Sequence, residues 1–305
     1  MSATDDHAAG VRMIDVTTPS GDFRVWTRAA GDPSGLTVLV LHGGPGATHE
    51  YLLDLEQPLV DAGHQVVFYD QLGSFHSDQP DDPSLWEIPR FVDEVEQVRA
   101  ALDLGPDRFV LYGQSWGGIL GLEYALAHQD RLRGLVISNM MSSIPAYNEY
   151  AERVFFPEMG EETIARIKEF EAAGDTVNDE YDALVRPHYE RHTLRLPKDQ
   201  WPPHAVAGLE HINHDIYIPL QGPSELGASG KLVEWDRSGD LGQVEVPTLV
   251  IGAQHDTMDP GHMEWMAQQL PQGTYLHCPD GSHLALIDDH DVYVRGLLAW
   301  LDGLR

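Results

Sequence analysis

Five short apolar blocks constrain this chain more than any other feature. TVLVL (37–41), HQVVFYD (64–70), RFVLY (108–112), GLVISN (134–139) and VPTLVIG (246–252) are rich in β-branched and aromatic residues. Runs of this kind are strands buried on both faces, and such strands need helices on either side of the sheet, so the chain reads as α/β with a mostly parallel central sheet. MIDVTT and DFRVWTR, within 13–28, alternate apolar with polar residues and read as an antiparallel pair opening the sheet. EVEQVRAALDLG (94–105) is expected to be a helix stopped by Gly105 and Pro106. After VPTLVIG the alternation continues with a helix near 261–270, a strand at TYLHC (274–278) and a last helix over 291–301.

Between Asn139 and Gly242 the texture changes. Residues 140–241 lack strand blocks, are rich in Glu, Tyr, His and Pro, and contain helical runs such as EETIARIKEFEAAG (161–174). No repeat, low-complexity tract or flexible linker separates them from their surroundings. The expected organisation is therefore a core built from 1–139 and 242–305, with 140–241 a packed, mainly helical cap inserted after the sixth strand. Ligands of open α/β sheets bind at the carboxyl ends of the strands, where such a cap would roof them.

Charge narrows the partners. Against 49 Asp and Glu stand 19 Lys and Arg, a formal net charge of −30, which repels nucleic-acid backbones and anionic membrane surfaces. The excess reads either as a solubilising surface or as adaptation to high salt. The single cysteine, Cys278, fits a reducing compartment. MSATDDHAAG lacks the basic and apolar regions of a secretory leader, and LTVLVL is far too short to span a bilayer. A cytoplasmic protein is expected, of undetermined oligomeric state.

The stretch VLYGQSWGGILGLEYALAH (110–128) turns from strand to helix within Gly113, Gln114, Ser115 and Trp116. Glycines two residues either side of Ser115 permit a sharp turn that exposes the serine beside the positive end of the following helix. This G-x-S-x-G elbow gains weight from partners in the chain order Ser, Asp, His. After VPTLVIG come Asp256 and Asp259; Asp259 precedes Pro260 and reads as a helix N-cap, leaving Asp256 as the orienting carboxylate. After TYLHC comes His283, in the loop PDGSHLALIDD, as the base; His277 falls in a strand, His255 in the wrong loop, and His42 reads as structural. Oxyanion donors are expected from the N–H groups of Trp116 and Gly44, with Gly43 as the alternative, the glycines belonging to HGGPG (42–46). The chemistry is that of a serine hydrolase.

HGGPG, YDQLGSFHSD (69–78), GQSWGG and YIPLQGPSELGASGKLVEWD (217–236) together resemble the prolyl iminopeptidase family of α/β-hydrolases over nearly the whole chain. The resemblance implies an α/β-hydrolase fold and an aminopeptidase that releases an N-terminal residue, proline favoured, from small peptides or amino-acid derivatives through Ser115, Asp256 and His283, with no metal or cofactor. It also implies that a cap carboxylate holds the substrate's α-amine; the matching residue is Glu225, with Glu210 a possible second. Two departures stand out. Thr257 occupies a position where some relatives carry a second glutamate, and DQLGSFHSD lacks the usual arginine and second glycine. An esterase, lactonase or amino-acid amidase would use the same machinery, and a non-catalytic ligand receptor could share the fold.

Overall fold

A computed structural model describes residues 10–305; the acidic stretch read for a secretory leader lies, apart from Gly10, outside them. Eight strands form one sheet: β1 (Val11–Thr18), β2 (Gly21–Gly31), β3 (Thr37–Leu41), β4 (Gln65–Asp70), β5 (Phe109–Gln114), β6 (Gly134–Ser138), β7 (Thr248–Ala253) and β8 (Gly273–Cys278). Their spatial order is β1-β2-β4-β3-β5-β6-β7-β8. β1 pairs antiparallel with β2, and β2 with β4, while every pairing from β4 through β8 is parallel. The expected opening hairpin and parallel sheet are both present.

Each apolar block serves two cores at once. Val38 and Val40 of β3 enter one cluster of buried side chains and Leu39 and Leu41 the other; Val110 and Tyr112 of β5 divide from Phe109 and Leu111 in the same way. Successive side chains of a strand point to opposite faces, so both faces must be covered. Helices α1 (Glu56–Asp61), α2 (Ile88–Ala101) and α3 (Trp116–His128) follow the early strands, and α10 (Pro260–Gln269), α11 (Ala285–Asp288) and α12 (His290–Asp302) the late ones. α2, α3 and α10 cover one face through Phe91, Val95, Ile119, Leu122, Met263 and Met266. α1 and α12 cover the other through Leu59, Tyr293, Leu297 and Leu301.

Between β6 and β7 the chain forms α4 (Ile144–Tyr150), α5 (Phe156–Met159), α6 (Glu161–Ala173), α7 (Asp179–His192), α8 (Pro203–Glu210) and α9 (His214–Leu220). α6 ends at Gly174 in the left-handed conformation, as its glycine implies. The helix expected over 94–105 is displaced: α2 begins at Ile88 and ends at Ala101. Pro89 sits in its first turn, where a proline is preorganised rather than disruptive, and Asp103 turns left-handed (φ 53°) before Gly105 is reached. No helix among the described residues is long and apolar enough to cross a membrane.

Candidate active site

Parallel strands place their carboxyl ends on one edge, and four loops converge there. Ser115 follows β5 with φ 56° and ψ −125°, a strained conformation for a residue with a side chain. The turn is held by its own hydrogen bonds: Ser115 N–H donates to the Ser138 carbonyl (3.0 Å), and the Gly118 N–H donates to the Ser115 carbonyl (2.7 Å). The flanking glycines are required by contact as much as by conformation. A Cβ on Gly113 would overlap the Gly117 carbonyl, and one on Gly117 the Leu41 carbonyl. Ser115 is only 8% exposed and lies at the start of α3, whose N-terminus is electropositive.

Asp256, buried after β7, accepts from His283 Nδ1 at 2.7 Å. Its Oδ1 also accepts from the Met258 N–H (3.1 Å) and the Thr257 hydroxyl (3.3 Å), while Oδ2 accepts from Asn139 Nδ2 (2.7 Å). Asp259 caps α10, accepting from the Gly261 N–H at 2.8 Å, the role its place before Pro260 implies. His283 is fully buried. Burial pulls its pKa down, but the charge and hydrogen bond of Asp256, followed by Glu225 and Asp288, outweigh burial and raise it above the ordinary value.

Gly44 and Trp116 stand beside Ser115. Among the described residues neither backbone N–H makes a hydrogen bond, and both residues line a cavity with Ser115. Gly43 differs: its N–H donates to the Tyr51 hydroxyl (2.6 Å), which in turn donates to Gln114 Oε1 (2.7 Å). The alternative donor is therefore already committed, and Gly44 is the better candidate. His42 is buried with Nδ1–H donating to the Gly43 carbonyl (2.9 Å) and Nε2 accepting from the Gln71 N–H (3.0 Å). Burial lowers its pKa to about 4, so it is a neutral brace of the glycine loop.

Three cavities, of about 340, 60 and 10 Å³, meet at Glu225. Ser115, Gly44 and His283 line the 60 Å³ chamber. Glu225 accepts from the Tyr217 hydroxyl, its one side-chain donor among the described residues, and the Tyr147 hydroxyl fixes the local turn by donating to the Glu225 carbonyl (2.8 Å). Burial first, and then the Glu225 charge, push the Tyr217 and Tyr147 phenols well above their ordinary pKa, so both stay donors. Glu210 is exposed on α8 and lines only the outer, 340 Å³ cavity. Among the aromatic residues, Trp116 and Tyr147 line the 10 Å³ chamber and Trp201 and Tyr217 the outer cavity. Phe155 is buried against Tyr150 and His188 in the packing of the inserted helices.

Two features escaped the sequence. Asn139 is in the left-handed conformation (φ 51°) and donates both to Asp256 and to the Ser282 carbonyl (3.2 Å). Its place directly after a buried strand was a usable signal, since asparagine tolerates that conformation. In DQLGSFHSD, the buried Asp70 accepts from His49 Nδ1 (2.8 Å) and His76 Nδ1 (3.0 Å), so imidazoles satisfy the carboxylate in a motif without arginine. Phe75, with φ 25°, stacks on His211 from the inserted segment.

An elbow serine, a carboxylate-bound histidine and two unpartnered N–H groups at the carboxyl edge of a parallel sheet are the arrangement of an α/β-hydrolase. Residues 37–290 match the family model described as alpha/beta hydrolase fold. The chain is 46% identical over 294 residues to a proline iminopeptidase of Flavobacterium johnsoniae, covering 96% of this chain and 98% of the relative. A proline iminopeptidase of Elizabethkingia meningoseptica is also 46% identical, covering 95% of this chain and 97% of the relative. The crystal structure of Mycobacterium smegmatis proline iminopeptidase superposes with a TM-score of 0.81 at 28% identity, covering 95% of this chain and 98% of that one. That of VinJ superposes with a TM-score of 0.87 at 30% identity, covering 96% and 99%. This chain belongs to the proline iminopeptidase family of α/β-hydrolases.

Proposed function

We propose that this protein is a serine aminopeptidase that releases an N-terminal residue, proline favoured, from small peptides, acting in the cytoplasm with 140–241 as the cap over its site. Ser115 Oγ attacks the scissile carbonyl while His283 takes its proton; Asp256 holds the imidazole and stabilises the imidazolium that forms. The N–H groups of Gly44 and Trp116 bind the oxyanion. The protonated His283 passes its proton to the departing amine, and water, activated by the same histidine, hydrolyses the acyl-enzyme.

The observation that carries the aminopeptidase reading is Glu225. A carboxylate at the meeting point of three cavities, bonded among the described residues to one neutral hydroxyl and to no cation, is matched by a substrate ammonium. Relatives 46% identical to this chain are proline iminopeptidases, which favours proline as the released residue. Thr257 hydrogen-bonds Asp256 and His283 Nδ1 (3.2 Å) rather than adding a second charge, so Glu225 carries the recognition, with Glu210 too exposed to share it equally.

Glu225→Gln retains the bond from Tyr217 and loses the charge. kcat/KM for a prolyl anilide should fall roughly tenfold to a hundredfold, since a hydrogen bond to a charged group contributes about 1.5–3 kcal/mol. Turnover of a simple acetyl ester, which presents no amine, should stay near the parent's. Equal losses on both substrates would assign Glu225 to the architecture of the cap; no loss on either would make the enzyme an esterase or amidase.

The raised pKa of His283 sets the acid limb. The base must be neutral, and protonation removes it as pH falls through that pKa, so kcat/KM should decline below a midpoint lying above the ordinary 6.5. Glu225 is one cause of the elevation, so Glu225→Gln should move the limb toward lower pH. An unmoved limb in the variant, or a parent midpoint below 6.5, would contradict the assignment.

A further inference from the structure

Thr193 follows α7 and is 7% exposed, yet its hydroxyl has no hydrogen-bond partner among the described residues. The residue itself is firmly placed. Its N–H donates to the Tyr189 carbonyl (3.0 Å), and its carbonyl accepts from the Leu284 N–H (2.9 Å) and the Ser282 hydroxyl (3.0 Å). Beside it, the His192 carbonyl accepts from the His283 N–H (2.9 Å). The end of α7 is thus tied by its backbone to the loop that carries the histidine, which fixes the place of Thr193. A hydroxyl can donate once and accept twice. Leaving one buried and unused is unfavourable unless something that enters the site completes it.

The position of Thr193 specifies what enters. Thr193 lines both the 60 Å³ chamber, with Ser115 and His283, and the 340 Å³ outer cavity, but not the innermost chamber. When an acyl group is bound to Ser115, acyl residue and leaving group must depart in different directions. Of the three cavities, the outer one alone has room for a continuing chain. We propose that Thr193 donates a hydrogen bond to the main-chain carbonyl of the residue after the scissile bond, making it a specificity residue for peptides over substrates whose leaving group carries no such acceptor. This rests on the aminopeptidase reading above.

The test compares prolyl-alanine amide, whose leaving group has a carbonyl, with prolyl 2-naphthylamide, whose leaving group has none. Thr193→Val keeps the shape and deletes the hydroxyl. Its kcat/KM for the dipeptide amide should fall about tenfold, mostly through KM, because the contact exists in ground and transition states alike. The loss on the naphthylamide should be much smaller, and Thr193→Ser should restore the dipeptide value. The melting temperature of Thr193→Val should be no lower than the parent's, since the hydroxyl it removes has no hydrogen-bond partner among the described residues. Equal losses on both substrates would overturn the proposal and make Thr193 a positioning residue for the His283 loop; no loss on the dipeptide would overturn it as well. The parent's turnover of the naphthylamide reports on the aminopeptidase reading, whereas the ratio of the two substrates reports on Thr193, so the two can fail separately.

Discussion

Ser115→Ala should leave a folded protein that is no longer labelled by a fluorophosphonate and whose kcat has dropped by roughly 10⁶-fold, the scale seen when the nucleophile of a serine triad is removed. Stability and activity separate cleanly at this position. The Ser115 backbone is held by bonds to Ser138 and Gly118 that do not involve its side chain. Serine and alanine both carry a Cβ, so the strain at φ 56° is common to both. The melting temperature should therefore change little while turnover collapses. Labelling that persisted in Ser115→Ala would place the nucleophile elsewhere. If the Gly44 and Trp116 N–H groups form the oxyanion hole proposed above, some rate above the uncatalysed reaction should survive.

Asp256→Asn should lower kcat by roughly 10⁴-fold, and the hydrogen-bond network explains why no rotation of the new amide rescues it. Asn139 cannot turn to suit it. Its Oδ1 accepts from the Ser138 hydroxyl (2.7 Å) and its Nδ2 also donates to the Ser282 carbonyl. If the new amide's NH₂ points toward Asn139, two donors face each other and a neutral oxygen is left facing His283, a weak support for imidazolium. Pointed toward His283, the NH₂ opposes the Met258 N–H and forces the imidazole proton onto Nε2, the atom that must accept from Ser115. The acid limb of kcat/KM should also move down, because the carboxylate charge is what raises His283 against burial. A variant with parent-like kcat would remove Asp256 from the mechanism, and the neighbouring carboxylate, Asp259, would be the next to test.

Sequence by itself determined the sheet and the chain order of Ser115, Asp256 and His283. Fully apolar blocks can be satisfied only between two layers of helices, so TVLVL, HQVVFYD and RFVLY were readable as central strands without knowledge of their neighbours. The glycines around Ser115 were equally legible, because a strand cannot turn into a helix in so few residues with side chains at those positions. Local patterning was less informative at the start of α2, where Pro89 looks like a breaker but occupies the first turn, and at its end, where Asp103 turns before the glycine.

Only the tertiary structure decided which groups are already occupied. HGGPG offers Gly44 as the donor with Gly43 as the alternative, and the Tyr51 hydroxyl, brought in from eight residues on, accepts the Gly43 N–H, while the Gly44 N–H has no partner among the described residues. Asn139 and Asp256 are 117 residues apart, and no periodicity links them. The pairing of His283 with Asp256, the meeting of three cavities at Glu225 and the unpartnered hydroxyl of Thr193 likewise depend on contacts between distant segments. Composition and spacing report the faces and lengths of elements, set by local sterics and burial. Which donor meets which acceptor is fixed by packing across the sheet edge, where loops from β3, β5, β7 and β8 and the end of α7 come within hydrogen-bond reach.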